Sequence, residues 1–370
     1  MTLAASAAPP DSATKTLALE TTARELAENQ RTLERAPGSQ TRFVEASQVA
    51  QAVEYAQWHL AATPADDSTL PRAAEWFLDN YYLIRRVARQ IGEDLPRGFA
   101  RHLPWIATGP GRGGFRVDLL ARKLIATTKL ELDPATLRGF VAAYQGSTPL
   151  TIAELWALPT MLRTCVLRHL VRFLEQLHVP VRGEVDHGEP APDDGDRVAL
   201  DPGVGVEYAI RALRMLDVVD WKAFFAKTNR VEAILRTDPA GVYPRMDFQT
   251  CDSYRRVVEA LAWNTGRAEH DVADLAIALA AERDGDERHR HVGHYLVGGG
   301  RAVLEQRVGY RPAGLARVRR AVTRWPTLSY LMPLGLSTAI SLYVLGWILA
   351  RAAMSAGAIA AAIAVAIIPV

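Results

Sequence analysis

The chain has 370 residues, room for one large or two ordinary globular domains, with 43 Lys and Arg against 41 Asp and Glu for a net charge of +2. Such a balance argues against a nucleic-acid partner. Cys165 and Cys251 are the only cysteines, which excludes a disulfide framework and a thiolate zinc site and fits a reducing compartment.

Residues 1–64 are polar and rich in Ala, Ser, Thr, Glu and Gln, with Pro9 and Pro10 near the start. They predict a disordered or loosely helical leader, with a short helix over residues 44–60. Lys15 and Arg24 are followed by no apolar run, so no cleavable signal peptide is expected. From residue 65 to 312 the pattern is helical. Phe77, Tyr81, Ile84, Ala88 and Ile91 share one helical face, and Gly92 offers a stop. Gly109-Pro-Gly-Arg-Gly-Gly114 spells G-x-G-x-x-G, but Leu103-Pro104-Trp105-Ile106 is no convincing strand, and the stretch is expected to be a linker.

Residues 117–128 predict the next helix. Asp133-Pro134 places an N-cap before a proline at the first helical position, with Leu137, Phe140, Val141 and Tyr144 inward. Thr151-Ile-Ala-Glu154 is a capping box opening a long helix that carries Leu155, Leu162, Val166, Leu170, Phe173 and Leu177, with a kink expected at Pro159. Residues 179–200 read as an exposed loop. Asp194-Gly-Asp196 within it, and Asp284-Gly-Asp286 later, spell the D-x-D of nucleotide-sugar transferases, but neither ends an apolar strand and both are expected to be solvated.

Helices resume after Asp201-Pro202, including residues 207–216, and Asp220, Asp252 and Asp271 are the expected caps of later ones. Phe77, Leu155, Phe173, Trp221 and Leu261 are the expected core. His289, His291 and His294 cluster as metal ligands do but lack the paired helical spacing of a zinc site, and polar loop histidines are expected. Cys165 sits among apolar residues as a buried inert thiol would. No catalytic, cofactor-binding or metal-ligating residue is assigned. With no run of period two, the domain is expected to be all-α.

Residues 313–327 read as a basic linker, in which Arg317, Arg319, Arg320 and Arg324 are candidate contacts for anionic lipid; a plain solvated linker is the alternative. Residues 328–350 hold no charge and as a helix would be roughly 34 Å long, enough to cross a bilayer. Arg351 interrupts, and residues 356–370 read as the start of a second transmembrane helix, too short to return, so the chain is expected to be a fragment. A buried core helix with an Ala-rich tail is the alternative. Arginines crowd the N-terminal side of the first apolar helix, which places residues 1–325 in the cytoplasm of a multi-pass inner-membrane protein.

Several segments resemble the cyclic β-1,2-glucan synthases of bacteria: Ala73-Ala-Glu-Trp-Phe-Leu-Asp-Asn-Tyr-Tyr-Leu-Ile84, Asp94-Leu-Pro-Arg-Gly98 and Thr148-Pro-Leu-Thr-Ile-Ala-Glu-Leu-Trp-Ala-Leu-Pro159. The resemblance is strongest over residues 201–312, in Val219-Asp-Trp221, Met246-Asp-Phe248, Asp252-Ser-Tyr-Arg-Arg256, His291-Val-Gly-His-Tyr-Leu296 and Gly309-Tyr-Arg-Pro312. Cys251 stands where that family has a basic residue, and His294 where an aromatic is common. The resemblance implies a full enzyme that uses UDP-glucose and a divalent metal to build glucan for the periplasm. It further implies that this chain is its non-catalytic N-terminal region, with the inner membrane and the other synthase domains as partners. The second expectation is a self-standing, membrane-tethered helical adaptor for protein or anionic lipid.

Overall fold

Helical periodicity without strand-like alternation gives an all-α fold. The computed structural model describes residues 12–30, 33–35, 44–62, 72–94, 99–108, 112–181, 198–282, 289–311, 314, 326–351 and 357. The chain divides into two units, one ending at Val308 and the other beginning at Gly309.

The first unit contains α1 (Ser12–Asn29), α2 (Val44–Ala62), α3 (Arg72–Asp79), α4 (Tyr81–Asp94), α5 (Arg116–Thr128), α6 (Pro134–Ser147) and α7 (Ile152–Gln176). These are followed by α8 (Pro202–Val218), α9 (Trp221–Thr228), α10 (Arg230–Leu235), α11 (Phe248–Thr265), α12 (Glu269–Ala281), α13 (Val292–Leu296) and α14 (Arg301–Val308). Two short strands, β1 (Leu33–Arg35) and β2 (Pro104–Ile106), pair antiparallel with Glu34 opposite Trp105.

Side chains set several of the helix starts. Asp133 accepts the amides of Ala135 and Thr136 at the head of α6, and the Thr151–Glu154 capping box closes reciprocally at the head of α7. Asp201 and Asp220 cap α8 and α9. Two expected starts lie elsewhere. α11 is capped by Asp247, one turn before Asp252, which instead pairs with Arg255 and Arg256 inside the helix. α12 begins at Glu269, leaving Asp271 in its first turn.

α7 is the axis of the core. Almost every side chain from Ile152 to Leu174 is buried, including Glu154, Arg163 and Arg168, as expected of a helix surrounded by others. It runs continuously through Pro159 and packs against α2, α4, α5 and α8. At the α7–α8 crossing, Gly205 admits the Phe173 ring: a Cβ there would lie 2.6 Å from three ring carbons.

Beyond those two helix starts, the structure departs from the sequence reading of the fold at four places. The leader contributes to the core: α1 packs on α6 and α2 on α4, burying Ala23, Ala27, Val49, Val53 and Leu60. Small and β-branched residues at helical spacing make that face, which polar composition conceals. The expected helix through Phe77 and Ile91 is two helices, because Asn80 breaks it, its amide donating to the Trp76 carbonyl. Phe77, Leu155, Phe173 and Leu261 are buried, but Trp221 is only half-buried, its indole N–H donating to the Leu216 carbonyl at 3.0 Å.

The fourth departure concerns the membrane. The second unit contains α15 (Pro326–Arg351), yet among the described residues no helix is long and apolar enough to cross a membrane. Lack of charge is a weaker condition than sustained apolarity. Pro333, Gly335, Ser337, Thr338 and Ser341 lie along this helix, and the three hydroxyls bond back to carbonyls of the preceding turn. The multi-pass inner-membrane location, and with it the cytoplasmic placement of residues 1–325, is therefore withdrawn. The returning apolar piece lies outside the described residues, apart from residue 357.

Candidate functional site

A cleft of about 470 Å³ opens where the 3₁₀ turn Phe99–His102, the start of α7 and the α11–α12 corner meet. That is within the range of about 300–1,000 Å³ typical of ligand pockets. The corner is made by Gly266, whose φ of 70° is left-handed and ends α11, its N–H donating to the Ala262 carbonyl at 2.9 Å. The reversal brings the first residue of α12, Glu269, back beside Glu259 and Trp263 of α11. Those two are four residues apart and therefore share a helical face. The Trp263 ring is 5.0 Å from the His102 ring, tilted by 35°.

Both carboxyls are perturbed. Burial pushes Glu269 up to about 8; the Ile152 amide, which donates to its Oε2 at 2.8 Å, opposes this, and the charges of Glu259 and Glu154 reinforce it. Burial also raises Glu259, against the pull of His102. Near neutral pH the cleft thus holds a largely protonated carboxyl, Glu269, able to donate and accept a hydrogen bond at once.

Arg116 lies at the cleft wall with its charge already matched. Its Nε donates to Glu154 Oε1 at 2.6 Å and its Nη2 to the Pro149 carbonyl at 3.0 Å, with a second contact from Nη2 to Glu154 Oε2. Burial weakens this guanidinium's hold on its proton, but Glu154 more than restores it. Glu154 is also the capping-box residue of α7, so one carboxylate fixes both the helix start and the wall.

Two further buried polar groups lie in the α10–α13 region. Glu232 receives Arg255 Nη1 at 2.6 Å, Arg236 Nε at 2.8 Å and the Tyr243 hydroxyl at 2.7 Å. Asp238 accepts the amides of Val242, Tyr243 and Val292 and His291 Nδ1 at 2.9 Å, while His291 Nε2 meets the Tyr254 hydroxyl at 3.3 Å. Burial works against the Asp238 charge, but these donors hold it below the usual carboxylate range. Of the three clustered histidines, His291 is therefore part of the fold's polar interior, and the His289 and His294 rings meet edge to face at 4.5 Å.

The sequence candidates fare as follows. Arg317, Arg319, Arg320 and Arg324, and both D-x-D pairs, lie outside the described residues. The glycine-rich stretch does follow a strand and precede a helix, contrary to expectation. That strand is three residues long and antiparallel, and Ile106 and Gly113–Gly114 close back on each other through two 3.0 Å backbone bonds; residues 109–111 lie outside the described residues. Cys165 and Cys251 are buried and not joined in a disulfide, and burial raises the Cys251 thiol. Glu259, Trp263 and Glu269 carried no signal as a site. The i, i+4 spacing of the first two and the glycine after them were the available hints.

No family model matches the chain. It is similar to the cyclic beta-(1,2)-glucan synthase NdvB of Rhizobium meliloti (strain 1021), 27% identical over 337 residues, which cover 71% of this chain and 12% of that protein. The two are distant relatives, and the chain spans a small part of that relative's length.

Proposed function

We propose that this chain is a non-catalytic component of a cyclic β-1,2-glucan synthase, the whole of which transfers glucose from UDP-glucose. The relationship to NdvB over 71% of the chain carries this reading. The disposition of charge supports a scaffolding role. The carboxylates of Glu154, Glu232 and Asp238 are bound to arginines, amides and a histidine that hold the helices together. Groups so engaged cannot serve as acid or base without unpicking the core.

An in-frame deletion of residues 12–308 from cells that make the glucan tests the proposal, with cyclic β-1,2-glucan measured in extracts. The deletion abolishes the product, whereas the purified chain incubated with radiolabelled UDP-glucose and Mg²⁺ or Mn²⁺ forms none. Undiminished glucan in the deletion strain, or labelled glucan from the purified chain, overturns it. A second reading, an adaptor for another protein, is favoured by the exposed apolar side chains of Tyr330, Met332 and Tyr343 on α15. It predicts unchanged glucan in the deletion strain.

A further inference from the structure

Three features of the cleft narrow what it can hold. Trp263, whose ring meets that of His102, lines the cleft together with Glu259 and Glu269, a combination of aromatic and carboxyl groups suited to a ring with apolar C–H groups on one side and hydroxyls around its rim. Glu269 is tied to the Ile152 amide through Oε2, leaving Oε1 for another partner. Three arginines line the cleft, and Arg230 stands exposed at its rim. Arg116 is matched by Glu154, Arg267 Nε donates to the Val308 carbonyl at 3.1 Å, and Glu259 and Glu269 stand in the same wall. A protonated Glu269, able to donate and accept a hydrogen bond at once, and an aromatic ring in the same wall suit the hydroxyls and C–H groups of a neutral polyol.

We infer that this cleft binds a neutral gluco-oligosaccharide, with Trp263 stacking on one pyranose ring and Glu259 and Glu269 hydrogen-bonding its hydroxyls. The inference rests on the reading above for the identity of the sugar, a β-1,2-linked glucan. It assigns the chain the task of holding a glucan segment rather than the nucleotide donor.

Titration of the full-length chain with linear β-1,2-linked gluco-oligosaccharides, followed by calorimetry, tests this. Saturable binding is expected, weakened about tenfold or more by Trp263→Ala, largely retained by Trp263→Phe, and weakened severalfold by Glu259→Gln. Trp58→Ala, an exposed tryptophan outside the cleft, leaves it unchanged. UDP-glucose binds more weakly than the oligosaccharide. No saturable binding by the folded parent chain, binding insensitive to both Trp263→Ala and Glu259→Gln, or tighter binding of UDP-glucose would overturn the inference. Loss of glucan in the deletion strain without sugar binding sinks this inference alone. Sugar binding with undiminished glucan in that strain sinks the synthase reading alone.

Discussion

Glu269 is where a single side chain bears most on stability. Its folded value is raised from the ordinary glutamate range to about 8 because burial, with the nearby charges of Glu259 and Glu154, outweighs the help of the Ile152 amide and Arg116. A raised carboxyl stabilises the fold fully below the unfolded glutamate value and loses that contribution as pH climbs to the folded one. The chain is thus expected to lose on the order of 2 kcal/mol between about pH 4.5 and 8 from this group, allowing for solvent screening of a partly exposed side chain. Glu269→Gln keeps an acceptor for the Ile152 amide and flattens that slope. Urea midpoints measured across the range check it, and a variant with the parent's pH profile would refute it. Gly293 is a second sensitive position, since a Cβ there would lie 2.3 Å from the Tyr254 hydroxyl and 2.4 Å from His291 Nε2. Glu269 belonged to no motif, and Gly293 only to the segment His291–Leu296. Each meets a group far along the chain, the Ile152 amide for Glu269 and the Tyr254 hydroxyl for Gly293.

Between elements, the α7–α8 crossing decides how the core closes. Phe173→Ala should cost about 3–5 kcal/mol in denaturant unfolding, because the ring is fully buried, while half-buried Trp221→Ala costs less than about 2 kcal/mol. Gly205→Ala drives a methyl into the Phe173 ring and should cost about 1–3 kcal/mol alone. In the Phe173→Ala background the same change should cost almost nothing, since the ring it strikes has gone; additive costs would mean that the two helices do not meet as described. The elements themselves were largely legible. Asp133, Thr151, Asp201 and Asp220 announce four helices, since a cap and the amides it satisfies lie within one turn. The break at Asn80 and the true start of α11 were not, because Asp247 and Asp252 are equally good caps by type. Packing of Cys251 and Tyr254 favours the earlier one.

For the molecule as a whole, the first unit is expected to be self-sufficient and to need its first two helices. A chain ending at Val308 should show a helical far-UV spectrum and one cooperative melt. A chain beginning at residue 65 loses the α1 face against α6, the Gln30 bond to the Tyr144 hydroxyl at 2.7 Å and the α2 face against α4. It should melt at a lower temperature by calorimetry and bind ANS; equal melting temperatures would show that these helices add nothing. Sequence alone determined the all-α class, most helix positions and α7 as a long core helix, since periodicity, proline and capping act between residues within a turn or two. Only tertiary structure decided that the N-terminal helices join the core. Only tertiary structure, too, gathered His102, Glu259, Trp263 and Glu269 around one cleft beside the head of α7. Only Glu259 and Trp263 share an element and a period; His102 comes from the 3₁₀ turn and Glu269 from the head of α12. Their meeting depends on where α7 packs and on the left-handed turn at Gly266, and burial there, rather than residue type, is what alters their chemistry.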